Sequence, residues 1–317
     1  MRLTILLLLV ISMNTSAYAS STKRCLYINS YHVGYAWSDK IESAVKTVLS
    51  GHCELTVFRM DSKRNTSPVF IQQKALEAKA LIETFKPDVV IASDDNASKY
   101  LIAPYYKDAD MPFVFCGINW TAKPYAYPYA NATGMIEVSA IKTLLIKSRD
   151  IIGGVKTVAF IGAKGIRTDE KEFEWMAKVY AREGVVVRAL YAADMVEWEQ
   201  AYLTAQDSDL IVLNNYAGIK KWDKQRAVKF ATQHAGKLTV STYDFMTPYT
   251  MLAMTKVAEE QGEWAAKVAI RILQGKSVAS IPVVANRRFN VFVNFPILNQ
   301  TDIHLPEAIL FKAIKVK

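Results

Sequence analysis

Short, unbroken apolar runs, each followed by a polar loop and then a stretch at helical spacing, dominate this chain. The first run spans residues 25–28 and leads into Asn29-Ser30-Tyr31-His32-Val33-Gly34-Tyr35-Ala36-Trp37-Ser38-Asp39. Ile41, Ala44, Val45, Val48 and Leu49 then recur on one helical face. The same order repeats with strands expected at 54–58, 89–92 and 113–118, and a helix over 67–85 opened by Ser67-Pro68. It restarts at 157–161, with further strands at 185–191, 210–213 and 238–241 and a helix over 168–183. Helices are also expected around Trp198, between Asp223 and His234, and over 262–274 ahead of Gly275. One more strand is expected at 291–293, and a terminal helix after Pro306. Alternation of this kind predicts parallel sheets covered by helices on both faces, an α/β doubly wound architecture.

Two such series need two cores, and roughly 300 residues suit two lobes of about 100–150 each. The first crossing between them is expected just before Glu137. Residues 20–136 plus about 246–282 are assigned to lobe 1, and 137–245 plus about 283–317 to lobe 2.

The amino-terminal 19 residues break the pattern. Arg2, an apolar run over 3–11 and Ala17-Tyr18-Ala19 read as a secretory signal cleaved after Ala19, too short to span a bilayer. The expectation is a periplasmic protein. Lys and Arg number 39 against 30 Asp and Glu, a net +9. The basic residues are dispersed rather than gathered on one face, which argues against nucleic acid as a partner. Of three cysteines, Cys25 and Cys53 start neighbouring parallel strands. A disulfide between them and two buried free thiols are both compatible with that placement. Cys116 is expected to pack as a small core side chain.

Catalytic patterns are absent. His32, His52, His234 and His304 have no metal-ligand spacing, and there is no nucleophile elbow or phosphate loop. Gly162-Ala163-Lys164-Gly165 lacks the third glycine of a dinucleotide fingerprint. The chain is therefore expected to be no enzyme and to need no cofactor. What recurs instead is a polar or aromatic cluster after each strand. Ser93-Asp94-Asp95-Asn96, Gly117-Ile118-Asn119-Trp120, Asn214-Asn215-Tyr216 and Thr242-Tyr243-Asp244-Phe245 join the Tyr31, Tyr35 and Trp37 loop. Each alone is ordinary turn chemistry. Together, at the carboxyl edges of two sheets, they outline a small-molecule pocket.

The 29–39 loop, the 93–97 loop, the 113–119 strand, the Gly262 to Gly275 helix with Ile281-Pro282-Val283, and a terminal helix over 305–316 resemble one family. It is the type I periplasmic-binding-protein-like family of ABC transporter substrate-binding proteins, whose similar domains also serve as sensor modules of membrane kinases and cyclases. The resemblance implies two Rossmann-like lobes joined by three hinge strands and closing on a ligand; some relatives bind aromatic amino acids. It puts the ligand-binding positions of the first lobe at Ser30, Tyr31, Trp37, Asp95, Asn96 and Asn119. Glu137, Asn215, Tyr243 and Asp244 would complete the cleft, with acids pairing an ammonium and rings stacking on a flat group. Transport through a membrane permease is the expected role. The alternative is a periplasmic sensing partner of a kinase, cyclase or chemoreceptor. A monomer is expected, and the absence of a lipid-bearing cysteine suits a free periplasmic protein.

Overall fold

The computed structural model describes residues 22–316, so the expected signal segment lies outside the described residues. The first series forms β1 (Arg24–Asn29), α1 (Ala36–Leu49), β2 (Glu54–Arg59), α2 (Pro68–Phe85) and β3 (Val89–Ser93). Next come α3 (Asp94–Ala97), a wide turn of helix (Ser98–Ile102), α4 (Ala103–Tyr105), β4 (Phe113–Asn119) and β5 (Ala132–Glu137). The second contains α5 (Ile141–Ile152), β6 (Thr157–Ala163), α6 (Arg167–Ala181), β7 (Val186–Ala192) and α7 (Met195–Ala205). It continues through β8 (Leu210–Leu213), α8 (Lys224–Gln233), β9 (Leu238–Ser241) and β10 (Leu252–Lys256). The chain ends with α9 (Ala258–Leu273), β11 (Val284–Ala285), β12 (Phe289–Val293), α10 (Phe295–Leu298), α11 (Glu307–Leu310) and β13 (Ala313–Lys315).

Two sheets result. The first runs β11-β5-β4-β3-β1-β2, and the second β13-β12-β10-β9-β8-β6-β7. All pairings are parallel except that of β10 with β12. Read outward, β2-β1-β3-β4-β5 and β7-β6-β8-β9-β10 have the same winding. In each, the order reverses beside the first strand of the series, and a crevice opens there at the carboxyl edge. The α/β doubly wound architecture expected from the apolar runs is present in both halves. The central strands earn it by composition: β3 and β8 are buried along their whole length, as strands covered on both faces must be.

Three segments carry the chain between sheets: β5 into α5, β10 into α9, and β11 into β12. They are knit together. Val138 N–H donates to Asn286 Oδ1 at 2.7 Å, and Asn286 N–H to the Ile136 carbonyl at 3.3 Å. Glu260 accepts the N–H groups of Arg287 and Arg288 at 2.9 and 2.8 Å. Helix α9 then lies against α1 so closely that a Cβ on Gly262 would stand 2.3 Å from the Ile41 carbonyl oxygen. Only glycine permits that contact.

Several boundaries differ from expectation. Met251, Leu252 and Met254 belong to the second lobe's core and β10 pairs with β9 and β12, so the return to the first lobe comes after Lys256 rather than near 246. Val284–Ala285 adds a strand beside β5 of the first sheet, so the final crossing follows it rather than starting at 283. The terminal helix stops at Leu310, and Ala313–Lys315 joins the second sheet beside β12. Alternate β-branched and long side chains at the end of the chain fit a strand edge better than a helical face.

Candidate functional site: a cleft between the lobes

A cavity of about 460 Å³ lies between the carboxyl edges of the two sheets. That is within the range of small-ligand pockets. The first lobe supplies Tyr31, Tyr35, Trp37, Lys40, Lys63, Asp94 and Asn119, and the second Thr242, Tyr243, Asp244, Phe245 and Thr255. Glu137 and Lys256, from two of the crossing segments, line it as well.

The aromatic loop after β1 is fastened from below. Asn29 Oδ1 accepts from Tyr31 N–H at 2.9 Å and from the Ser38 hydroxyl at 2.6 Å, and Asp39 accepts from Gly34 N–H at 2.9 Å. Tyr31 and Tyr35 meet edge to face, with Lys63 Nζ 5.2 and 5.0 Å from their ring centres. Burial, with Asp94 and Asp95 close by, raises the Tyr31 hydroxyl far above its ordinary value, so it is a neutral hydrogen-bonding group.

Asp94 is the unusual member. It starts α3 with φ +67°, in the left-handed region, and is 3% exposed. Its Oδ2 has no hydrogen-bond partner. Across from it, Gly117 leaves the carboxylate room: a Cβ there would stand 3.2 Å from Asp94 Oδ1. Burial and then the neighbouring Glu137 push the Asp94 carboxyl well above the usual carboxylate range, against the Ser93 hydroxyl, which pulls it down. Backbone strain and an unmatched buried acid, together in a cavity, make Asp94 a candidate functional group.

Glu137, at the end of β5, is 6% exposed and paired with Lys256. Lys256 Nζ also lies 5.4 Å from the Trp37 ring centre. Burial raises the Glu137 carboxyl, and the Lys256 charge opposes that rise.

The second lobe's polar groups bond mainly to one another. Asp169 accepts from Ala163 N–H at 2.7 Å and from Asn215 Nδ2 at 3.2 Å. Tyr243 donates its hydroxyl proton to Glu172 Oε2 at 2.5 Å, while Glu172 Oε1 has no partner. Burial raises both carboxyls. Tyr243 and Phe245 stack at 5.0 Å beside exposed Asp244.

Of the ten positions expected in the cleft, the structure brings six to its wall: Tyr31, Trp37, Asn119, Glu137, Tyr243 and Asp244. The other four do not line it. Ser30 is fully buried, donating to the Ser93 carbonyl at 2.6 Å and accepting from Ala97 N–H at 2.9 Å. Asn96 donates to the Ser62 hydroxyl at 2.8 Å. Asp95 accepts from Asn119 Nδ2 at 3.0 Å and from the Tyr125 hydroxyl at 2.7 Å. Asn215 is spent on Asp169 and on Ala217 N–H, at 3.2 and 2.8 Å. Sequence reasoning placed Asp94 in a pocket loop but not among the ligand-binding positions, and missed Lys63 and Lys256. Asp94 was findable, since β3 ends at Ser93 and the next residue is the first to leave the sheet. Lys256 was hidden because the strand that delivers it is only five residues long and pairs with a strand from much later in the chain, β12.

The open thiol alternative closes as well: Cys25 and Cys53 are joined, with Cα atoms 5.9 Å apart, and Cys116 is free and buried. Among the described residues, no group of His, Cys, Asp and Glu could hold a metal ion. No described helix is long and apolar enough to cross a membrane.

The family model for ABC transporter substrate binding proteins matches residues 61–317, which covers the second lobe and the first from α2 onward. The chain belongs to that family. A sequence comparison with curated proteins finds no match. Among solved structures, the chain resembles a ligand-free, open substrate-binding protein with adhesive properties from Clostridium difficile. Identity is 14%, coverage 93% of this chain and 100% of the other, and the TM-score 0.72. An ABC domain from Streptococcus pneumoniae in complex with L-Trp gives 14% identity, 94% and 100% coverage, and a TM-score of 0.58. A conserved domain protein from Vibrio cholerae gives 16%, 93% and 100%, and 0.59. At these identities the solved structures speak to fold alone: the type I periplasmic binding protein fold expected from the sequence. Membership makes the chain a solute-binding component of an ABC transporter system.

Proposed function

We propose that this family member captures a small ligand carrying one ammonium group and one flat group, such as an aromatic amino acid, for delivery to an ABC permease. Capture takes place outside the cytoplasmic membrane, in the periplasm, after cleavage following Ala19. The observation that carries this reading is Asp94, a buried carboxyl with an unmatched oxygen, set among Tyr31, Tyr35 and Trp37 in the cavity between the lobes. An ammonium on Asp94 would supply the missing partner and restore the charged form that burial disfavours. Stacking on Trp37 or the tyrosines would hold a ring, and Tyr243 and Asp244 would close over it from the second lobe.

Titration calorimetry with L-tryptophan, L-tyrosine, L-phenylalanine and tryptamine tests this. Binding that is lost in Asp94→Asn is the expected result. A protein that takes none of these solutes, nor any other amine, and whose melting temperature none of them raises, overturns it.

A further inference from the structure

We infer that Lys256 is the residue that sets the charge selectivity of the cleft, by filling from within the place that a second ligand cation would otherwise take. This rests on the cleft being a solute site. Six charged side chains line the cavity: Lys40, Lys63 and Lys256 against Asp94, Glu137 and Asp244. Glu137 and Lys256 pair with each other, Lys40 reaches Glu259 at 3.5 Å, and Lys63 lies over two tyrosine rings. Asp244 is exposed at the rim and accepts from its neighbour's N–H, Phe245, at 2.8 Å. Asp94 is thus the buried acid left without an ion-pair contact, with Lys63 near enough only to oppose the rise of its carboxyl.

The position of Lys256 makes it a stand-in for a ligand. Its ammonium occupies the two features that attract a foreign cation, a buried carboxylate and a tryptophan ring 5.4 Å away. Asp94 and Glu137 follow strands two apart in one sheet, so their backbones are separated by about 10 Å. A linear diamine could bridge them, but with Lys256 in place the second amine meets an ammonium instead of a carboxylate. Like charges so close in a desolvated cleft repel strongly. The lysine arrives on β10 and the glutamate on β5, two of the three segments joining the lobes. The filter is therefore built into the hinge itself and needs no loop to move into place.

Lys256→Met keeps the length of the side chain and removes its charge. Cadaverine is the probe. Lys256→Met is expected to bind it about tenfold to a hundredfold more tightly than the wild-type protein does, as the freed Glu137 and the open Trp37 face take the second ammonium. The double variant Lys256→Met with Glu137→Gln should lose that gain. If Lys256→Met alone does not melt cooperatively, Glu137→Gln reads the same relation in reverse. Its unneutralised Lys256 should shift preference from tryptamine toward indole-3-acetate by about tenfold. A folded Lys256→Met that takes cadaverine no better than wild type, or a Glu137→Gln with unchanged preference, overturns the inference. The two levels separate cleanly. A wild-type protein that captures aromatic amines while Lys256→Met gains nothing leaves the proposed function intact and removes the lysine from it. A cadaverine gain in Lys256→Met, with no solute taken by the wild type, does the opposite.

Discussion

At the carboxyl edge of the first sheet, Asp94 keeps a buried oxygen without a partner. At the matching edge of the second, Asp169 has both oxygens bonded, to Ala163 N–H and to Asn215. Both lobes share one strand winding and bury acids where their strands end. What differs is whether the acid is satisfied at home. The second lobe is not free of unmatched groups, since Glu172 Oε1 also lacks a partner there, but its Asp169 is satisfied while the matching Asp94 is not. An unmatched buried acid on a strained backbone costs stability, and such costs concentrate at functional sites.

Exchanging each acid for its amide should break this symmetry most visibly. Asp94→Asn is expected to cost about 2–5 kcal/mol in ligand binding while raising the melting temperature of the ligand-free protein. Asp169→Asn should lose about 1–2 kcal/mol of stability and leave the affinity of the folded protein nearly unchanged. The pH dependence has a definite sign. The Asp94 carboxyl is raised by burial, so between its unfolded value near 4 and its folded one the native state holds the extra proton. Its contribution to stability is therefore full in acid and falls as pH rises through the folded value. Affinity for an ammonium follows the opposite course and grows as the carboxylate forms. Melting and titration across pH should show both slopes in the wild type and neither in Asp94→Asn. Parallel slopes in the two proteins would mean that Asp94 is not the group concerned.

The disulfide sharpens the same contrast, because among the described residues it staples only the first lobe, joining the starts of β1 and β2. Closing a loop of this length by a cross-link is worth about 3 kcal/mol. Cys53→Ser should lower the stability of the first lobe by about that amount, while hydrogen exchange in β6 to β9 changes little. Equal loss of protection in both sheets would show that the lobes unfold as one unit.

How far the sequence could reach follows the same division. Winding was legible because buried parallel strands are continuous apolar runs, and 89–92 and 210–213 cannot be mistaken for half-exposed ones. The cleft's aromatic wall was legible too, since three rings in one loop demand a cover. Which polar residue faces inward was not. Ser30, Asp95, Asn96 and Asn215 have the right chemistry in the right loops, yet each is consumed by a bond to a neighbour a strand away. Loop side chains are chosen by such cross-strand bonds, which leave no periodic trace in the chain. Lys256 carries a separate lesson: its strand is short, lies beyond a proline-bearing turn at Asp244–Tyr249, and pairs across the topology with β12.

In the second lobe the pairing of Tyr243 with Glu172 is the internal bond most exposed to test. Removing the hydroxyl in Tyr243→Phe leaves a buried carboxyl with neither oxygen bonded by that ring, and its other oxygen is already unpartnered. The expected loss is about 1–2 kcal/mol, measured by denaturant unfolding. That carboxyl should also move further above its ordinary range, since the bond it loses is one that holds it down. The loss should therefore shrink as pH falls and the acid is protonated. If the loss persists undiminished in acid, the ring's packing rather than its hydroxyl supports the lobe.

The smallest effect concerns the place where the lobes touch away from the cleft. Trp120, just after β4, meets Trp175 of α6 with ring centres 5.7 Å apart, beside a hollow of about 310 Å³. Trp175 is 38% exposed, so the contact is worth only about 0.5–1 kcal/mol. It is nonetheless one aromatic pair with a member in each lobe, and any hinge motion must change it. Trp175→Phe should leave melting almost unaltered. It should remove the part of the intrinsic fluorescence change that accompanies solute binding and does not come from Trp37 in the cleft. A fluorescence response to solute that survives in Trp175→Phe and vanishes in Trp37→Phe would mean that binding is sensed in the first lobe without the second one moving against it.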